Sequence, residues 1–580
     1  MFLAELSIKN FRKLKDIKLH FQDGLNILVG PNNVGKTAVI DALRALLSGP
    51  DEPPLRLSLT DLRCPVGGEP APSSVVFEYI FRGLTVDDEA DFMPALEPGE
   101  PGKLNARIGV RYSDADSSGR LRPKRWCGQH EDVPLTSEMM ENLRGVYLQP
   151  LRDASQALRP GRSSLLARLL RLLADEAGIK SIDDVLKATD DELKKLAPVV
   201  TTQEAVSDRH KKMLGGTLAQ VLNVSLSPSD FQRMSARASL LVDALELDQN
   251  GLGFNNLIYM AVVLSDLSKD PEAAAYRGLI VEEPEAHLHP QLQAILLRYL
   301  EGIRETPEGE RPVQVFVTSH SPNFASIAKI EALACLVDVG DGVEAFFPRE
   351  VAFQPGKREK LERYLDATRA EIFFARRVVF VEGSAELILL HVLSKRAGFD
   401  LRGHGVSVIS VEGLNFDSFL PLFGEKGLKV PVAVITDADP QSDDDAVLYP
   451  GFGAAKVVSE NTTKMKGLED AFVKVFCGLK TFEYDLALHP ANLNPMLAAL
   501  AELHPIIGKE VAASVAAAGD AEKAKTLFCG LFERGSTPVQ KGRFGQALAQ
   551  VWADEQVACE VPSYIRDALQ HVCTFGTGQP

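Results

Sequence analysis

Residues 30–37, Gly-Pro-Asn-Asn-Val-Gly-Lys-Thr, fit the pattern G-x-x-x-x-G-K-[ST]; they follow an apolar stretch, "GLNILVG", and precede a helix expected from about Lys36 to Leu47. Few features constrain a fold more, because such a loop is useful only where a buried strand feeds a helix N-terminus. Gly30 and Gly35 let backbone N–H groups curl around phosphates, with Asn32 and Asn33 in the turn between them. Lys36 reaches the terminal phosphates, and the Thr37 hydroxyl can hold Mg²⁺. These residues predict bound ATP with Mg²⁺.

The loop needs an acidic partner strand, and "GLIVEE" (278–283) supplies one. Glu282 is expected to hold Mg²⁺ through water and Glu283 to orient the attacking water. About 245 residues separate the two halves, enough for a β layer and a helical lobe. "EEPEAHLHP" (282–290) and "VFVTSHSPNF" (315–324) resemble the Walker B, D-loop and switch-histidine regions of ABC-type ATPases, the SMC-like and RecF-like kind. That resemblance implies that His320 contacts the γ-phosphate. "QNGLGFNNLIYMAVVL" (249–264) has the signature glycines Gly251 and Gly253, with Leu252 where a phosphate-binding serine is usual. His287 and His289 read as loop structure rather than a metal site.

A second chemistry is written near the middle of the chain. In "RRVVFVEGSAELILL" (376–390), Glu382 ends an apolar strand, Gly383 turns the chain, and Glu386 falls in the first helical turn. "VPVAVITDADP" ends in Asp437 and Asp439, and "SVISVEGLNF" adds Glu412 and Gly413. Carboxylates gathered at the C-terminal edge of a parallel sheet repel one another unless hard cations neutralise them. The order E-G-x-x-x-E and then D-x-D resembles the Toprim fold of topoisomerases, primases and certain nucleases.

An N-terminal ABC ATPase followed by a Toprim domain resembles the OLD (overcoming lysogenization defect) family of nucleases, which includes the nuclease subunit of Gabija-type phage defence. The resemblance covers nearly the whole chain. It implies that Glu382, Glu386, Asp437, Asp439 and Glu483 bind two Mg²⁺ or Mn²⁺, and that Lys541 stabilises charge on the scissile phosphate. It further implies DNA as the partner, a homodimer or homotetramer, and a helicase-like or other defence-system partner. The expected activity is metal-dependent cutting of duplex DNA regulated by the ATPase; the alternative is a catalytically silent SMC- or RecF-like scaffold on DNA.

The expected fold class is α/β, with an ABC/SMC-like ATPase carrying a helical insertion, then a Toprim domain with a Rossmann-like parallel sheet. The expected boundaries are an ATPase N-terminal lobe at 1–155, a helical segment at 156–235 and an ATPase C-terminal lobe at 236–345. A linker helix at 346–372 and a Toprim domain with a helical tail at 373–580 complete the chain. The periodicity of the helical segment fits either a subdomain on its own core or a dimerisation insertion, and the latter is adopted.

Composition sets bounds on this reading. With 63 Lys+Arg against 79 Asp+Glu the net charge is −16, so the surface as a whole cannot coat nucleic acid and any DNA contact must be local. "RLRPKRW" (Arg120 to Trp126) and "FRKLK" (Phe11 to Lys15) are the candidate basic runs. The seven cysteines show no zinc-type spacing. No run of about 18 apolar residues occurs, and the expectation is a soluble cytoplasmic protein without a membrane partner.

Overall fold

The computed structural model describes residues 1–575 apart from 49–53, 66–68, 150–157, 162–163, 216–217, 225–229, 243–244, 270–273, 304–311 and 536–537. The chain opens as an antiparallel sheet. Its strands run Leu14–His20, Phe2–Phe11, Val75–Arg82, Leu104–Ser113 and Leu96–Pro98 in space, with Arg122–Cys127 also paired to Leu104–Ser113. Alternate residues such as Phe77 and Tyr79 turn into one core, the period-two signature of a sheet. Trp126 lies across Gly109, where an added Cβ would sit 2.1 Å from the indole.

The second sheet carries the phosphate loop. Its order is Val343–Phe346, Leu333–Asp338, Leu25–Val29, Gln314–Thr318, Tyr276–Glu282 and Leu143–Leu148, parallel except for the first, edge strand. Strands of both expected ATPase lobes thus interleave in one sheet. Buried parallel strands read as near-continuous apolar runs because both faces are covered, as in Leu25–Val29, broken by Asn26, and in the Val315–Val317 centre of Gln314–Thr318. Gln314 stitches this sheet to the first: its Oε1 accepts from Leu3 N at 2.9 Å and its Nε2 donates to Leu3 O at 2.8 Å.

The third sheet is parallel, in the order Val406–Ser410, Arg377–Val381, Val432–Thr436 and Val473–Cys477. Its faces are sorted by alternation. Val378 and Phe380 join a core that continues into the ATPase half, while Val379 and Val381 face the helices Ser384–Arg396, Pro490–Leu503 and Lys541–Trp552. Trp552 is buried in that second core, its Nε1 donating to Ala558 O at 3.1 Å. Between the halves, helix Lys357–Tyr364 and turn Arg369–Phe373 are packed rather than loose: Leu361, Ala370, Ile372 and Phe373 all lie in the continuous core.

Among the helices of the expected insertion, Leu165–Leu173 rests on Leu252–Lys269. The two that follow, Glu176–Leu193 and Ala197–Leu214, bury none of their residues.

Candidate functional sites

The phosphate loop forms as its glycines require. Gly30 (φ 147°) and Gly35 (φ 111°) take conformations that side chains resist, and a Cβ on Gly30 would sit 2.6 Å from Leu336 O. Asn32 and Asn33 complete the turn, Asn33 at φ 64°. Lys36 begins helix Lys36–Leu47 and is buried, its Nζ donating to Gly30 O at 2.6 Å and Pro31 O at 3.0 Å. Desolvation lowers its pKa to about 8, against the opposing pull of Glu283 and Glu285. A phosphate would restore the charge that burial disfavours.

Residues far apart in the chain close on this loop. Thr37 Oγ1 lies 3.5 Å from Glu282 Oε2, the pair expected to share a magnesium ion. Glu282 also accepts from Tyr147 Oη at 2.6 Å, and burial raises its pKa. Glu283 sits at φ 46°, with Oε1 3.6 Å from His320 Nε2. All the expected nucleotide residues are therefore neighbours. Two residues escape sequence reasoning. Tyr147 carries no motif, and Glu285 looks like loop filler yet is buried, accepting from Ser319 Oγ at 2.7 Å and His320 N at 3.0 Å. At the signature region, Gly253 packs so closely that a Cβ would lie 2.6 Å from His287 O. His289 caps helix Pro290–Gly302, accepting from Gln291 N, in keeping with a structural role.

The second site lies at the C-terminal edge of the third sheet. Glu382 follows strand Arg377–Val381, and its Oε1 accepts from Thr436 Oγ1 and, at 2.8 Å, from Asp437 N. Glu386 enters the first turn of helix Ser384–Arg396, accepting from Gly383 N at 3.1 Å. Asp437 is buried, with Oδ1 accepting from Phe482 N at 2.8 Å. Asp439 stands at φ 47° and repels Glu382 electrostatically. Glu483, in the short helix Phe482–Ala487, is fully buried. Lys541 begins helix Lys541–Trp552 and places Nζ 2.8 Å from Glu483 Oε2 and 3.8 Å from Asp437 Oδ2.

The electrostatics are those of a crowded acid pocket. Burial, then mutual repulsion, raises Asp437 well above the usual carboxylate range; burial and Glu483 push Glu386 up to about 7. Burial opposes the charge on Lys541, but Glu483 and Asp437 outweigh it and hold the ammonium above its ordinary pKa. Apart from the Lys541 ammonium at Oε2, neither Glu483 oxygen has a hydrogen-bond partner. One ammonium among several buried carboxylates leaves negative charge for further cations to balance. The donors are all oxygens, the set that Mg²⁺ and Mn²⁺ prefer, so the residues fit divalent cations. As placed, no three acidic, His or Cys groups among the described residues are drawn together around one ion; the carboxylates converge without closing.

Two expectations need correction. Glu412 does not join the cluster: strand Val406–Ser410 is an edge strand, and Glu412 turns outward at φ 52° to pair with Arg369 at 2.6 Å. The run Phe11–Lys15 is no open basic face, because Arg12 is paired with Asp41 and Asp61 and Lys15 with Glu69. In the run Arg120–Trp126, Lys124 shares Glu131 with Arg111, Trp126 is buried, and Arg120 and Arg122 remain exposed.

Comparison with known proteins agrees with both halves. Residues 373–439 match the family described as "Overcoming lysogenization defect protein-like, TOPRIM domain", and residues 1–77 and 138–325 match an AAA ATPase domain. An OLD nuclease of Thermus scotoductus is 25% identical over 458 residues, covering 75% of this chain and 82% of the relative. An endonuclease GajA of Bacillus cereus is 26% identical over 225 residues, 34% of this chain and 32% of the relative. The solved C-terminal region of the Burkholderia pseudomallei OLD protein is 27% identical, with a TM-score of 0.25, covering 34% of this chain and 97% of that one. No helix among the described residues is long and apolar enough to cross a membrane. The chain thus joins an AAA ATPase domain to an OLD-like Toprim domain, and its relatives include OLD and GajA nucleases.

Proposed function

We propose that this protein is a metal-dependent DNA endonuclease of the Toprim type, regulated by its ATPase half and acting in phage defence. The observation that carries the reading is the desolvated cluster of Glu382, Glu386, Asp437 and Glu483 with Lys541 beside it, in one chain with a complete phosphate loop. Buried carboxylates crowded together beside a cation at a sheet edge are the arrangement that catalytic sites use to tune charge.

Glu382, Glu386, Asp437, Asp439 and Glu483 would hold two Mg²⁺ or Mn²⁺, and such ions would supply an activated water and charge stabilisation for the leaving oxygen. The protein's own residues set the rest. Thr436 and the Asp437 amide fix one oxygen of Glu382, and the Phe482 amide fixes one of Asp437, so each keeps its other oxygen for the pocket. The Lys541 ammonium, beside Glu483 and Asp437, would stabilise the negative charge that builds on a scissile phosphate held at this edge. In the other half, Thr37 and Glu282 would hold the Mg²⁺ of a bound ATP, while Glu283 and His320 would serve its terminal phosphate. The exposed Arg120 and Arg122 belong to a local DNA surface, and the working form is a homo-oligomer.

The test is conversion of supercoiled plasmid to nicked or linear DNA with Mg²⁺ or Mn²⁺, with and without ATP. Cutting is expected for the native protein, loss of cutting for Asp437→Ala, and a lost ATP response for Lys36→Ala. Plasmid left intact under every metal and nucleotide condition would sink the reading.

A further inference from the structure

The switch histidine and the acidic pocket lie on different sheets, yet a short, continuous set of contacts joins them. His320 is followed at once by helix Pro322–Ile327, whose Phe324 is buried in one core with Ile372 and Phe373 of the turn Arg369–Phe373. The helix and the turn pack directly on each other.

Arg369 opens that turn, and its side chain is buried. Every arm of the guanidinium is committed. Nη1 donates to Asp366 Oδ2 at 2.8 Å and to Tyr364 O at 3.2 Å, Nε donates to Ser410 O at 2.8 Å, and Nη2 meets Glu412 Oε1 at 2.6 Å. Tyr364 ends helix Lys357–Tyr364, which is itself a strut: Arg358 pairs with Glu331 of the ATPase half at 2.8 Å, and Lys357 and Lys360 both pair with Asp417 of the Toprim half. On the far side, the loop that Arg369 grips is bonded to a cluster carboxylate's own backbone. Gly413 N donates to Glu382 O at 2.7 Å, and Ser410 Oγ donates to the same oxygen at 3.4 Å. Glu412 sits between them in the left-handed region, a conformation that a side chain adopts only when something holds it.

We propose that Arg369 is a positioning residue through which the nucleotide state at His320 sets the placement of Glu382, and with it the cation affinity of the nuclease site. The proposal rests on the nuclease reading above and names the regulation of that same site. A planar fork with five donors ties the turn, the strut and the loop into one body. A close-packed core passes on a shift of helix Pro322–Ile327 rather than absorbing it. Lysine has three donors on one nitrogen and cannot reproduce the fork that reaches Asp366, Tyr364 O, Ser410 O and Glu412 at once.

The experiment titrates Mn²⁺ in the nicking assay, with and without ATP, for the native protein, Arg369→Ala, Arg369→Lys and Glu412→Gln, with ATP hydrolysis measured alongside. Arg369→Ala should raise the Mn²⁺ needed for half-maximal nicking about 10-fold and abolish the effect of ATP on nicking, with ATP hydrolysis retained. Arg369→Lys should restore little of either. An Arg369→Ala protein with native Mn²⁺ demand and native ATP response would overturn the proposal. If that variant does not fold, Glu412→Gln at an exposed position decides: a smaller shift in the same direction supports the relay, and no shift refutes it. If the native protein cuts no DNA, the nuclease reading fails separately, and amide exchange at Gly413 becomes the readout. Protection that changes on adding ATP in the native protein but not in Glu412→Gln supports the relay; unchanged protection in the native protein refutes it.

Discussion

Lys541 carries the only side-chain cation placed against both Glu483 and Asp437 among the described residues, and it begins a helix some 58 residues beyond the acid it pairs with. Removing it leaves the pocket with acids alone. Lys541→Ala is expected to slow nicking about 100-fold, the scale of losing one preorganised charge partner, while Lys541→Arg keeps part of the rate; single-turnover nicking at saturating Mn²⁺ measures both. In the other half, Glu285 holds the His320 amide and Ser319 in place. Glu285→Ala should lower ATP hydrolysis about 10-fold or more, as a slightly misplaced switch group would. Glu285→Gln keeps an acceptor and should lose less; a phosphate-release assay ranks the two, and equal rates for native and Ala proteins would exclude this role. Neither partner is announced by spacing. The phosphate loop, the glutamate pair and the acidic strand ends are legible because each is a local pattern with a fixed geometry. Glu285, Tyr147 and the full burial of Glu483 are set by contacts between distant segments, which no local pattern records.

At the scale of elements, the helix bearing Lys541 reaches the site because small residues let it approach. A Cβ on Gly545 would sit 3.0 Å from Ala385 Cα, and one on Gly542 would sit 2.6 Å from Ser384 Oγ, both on the helix that carries Glu386. Gly545→Val therefore overpacks a helix–helix contact against backbone. It is expected to cost about 1–3 kcal/mol and to lower nicking by displacing Lys541, with ATP hydrolysis unchanged; thermal unfolding and the two activity assays separate these effects. The strand–turn–helix order of both halves is readable from the alternation of apolar and polar residues. Which helix faces which is not, since the Ala- and Leu-rich tail offers several apolar faces and only the three-dimensional fit chooses among them. The same reason explains Glu412: its strand end resembles the one bearing Glu382, but edge position and the pull of Arg369 turn it outward.

For the whole molecule, helices Glu176–Leu193 and Ala197–Leu214 leave Val185, Val206 and Met213 exposed. The homo-oligomer proposed above is expected to pair through these two helices. Val185→Asp with Val206→Asp should reduce the solution mass toward that of one 63.1 kDa chain, read by light scattering across a dilution series; an unchanged mass would place the contact elsewhere. The two tryptophans of the chain fall one to each half, Trp126 across Gly109 in the antiparallel sheet and Trp552 inside the C-terminal core. Nature has thereby given each half its own fluorescent lamp. Trp552→Phe leaves only the ATPase lamp lit and Trp126→Phe only the other. Because one core runs through the joint from Phe324 to Phe380, the two emission signals should change together on heating.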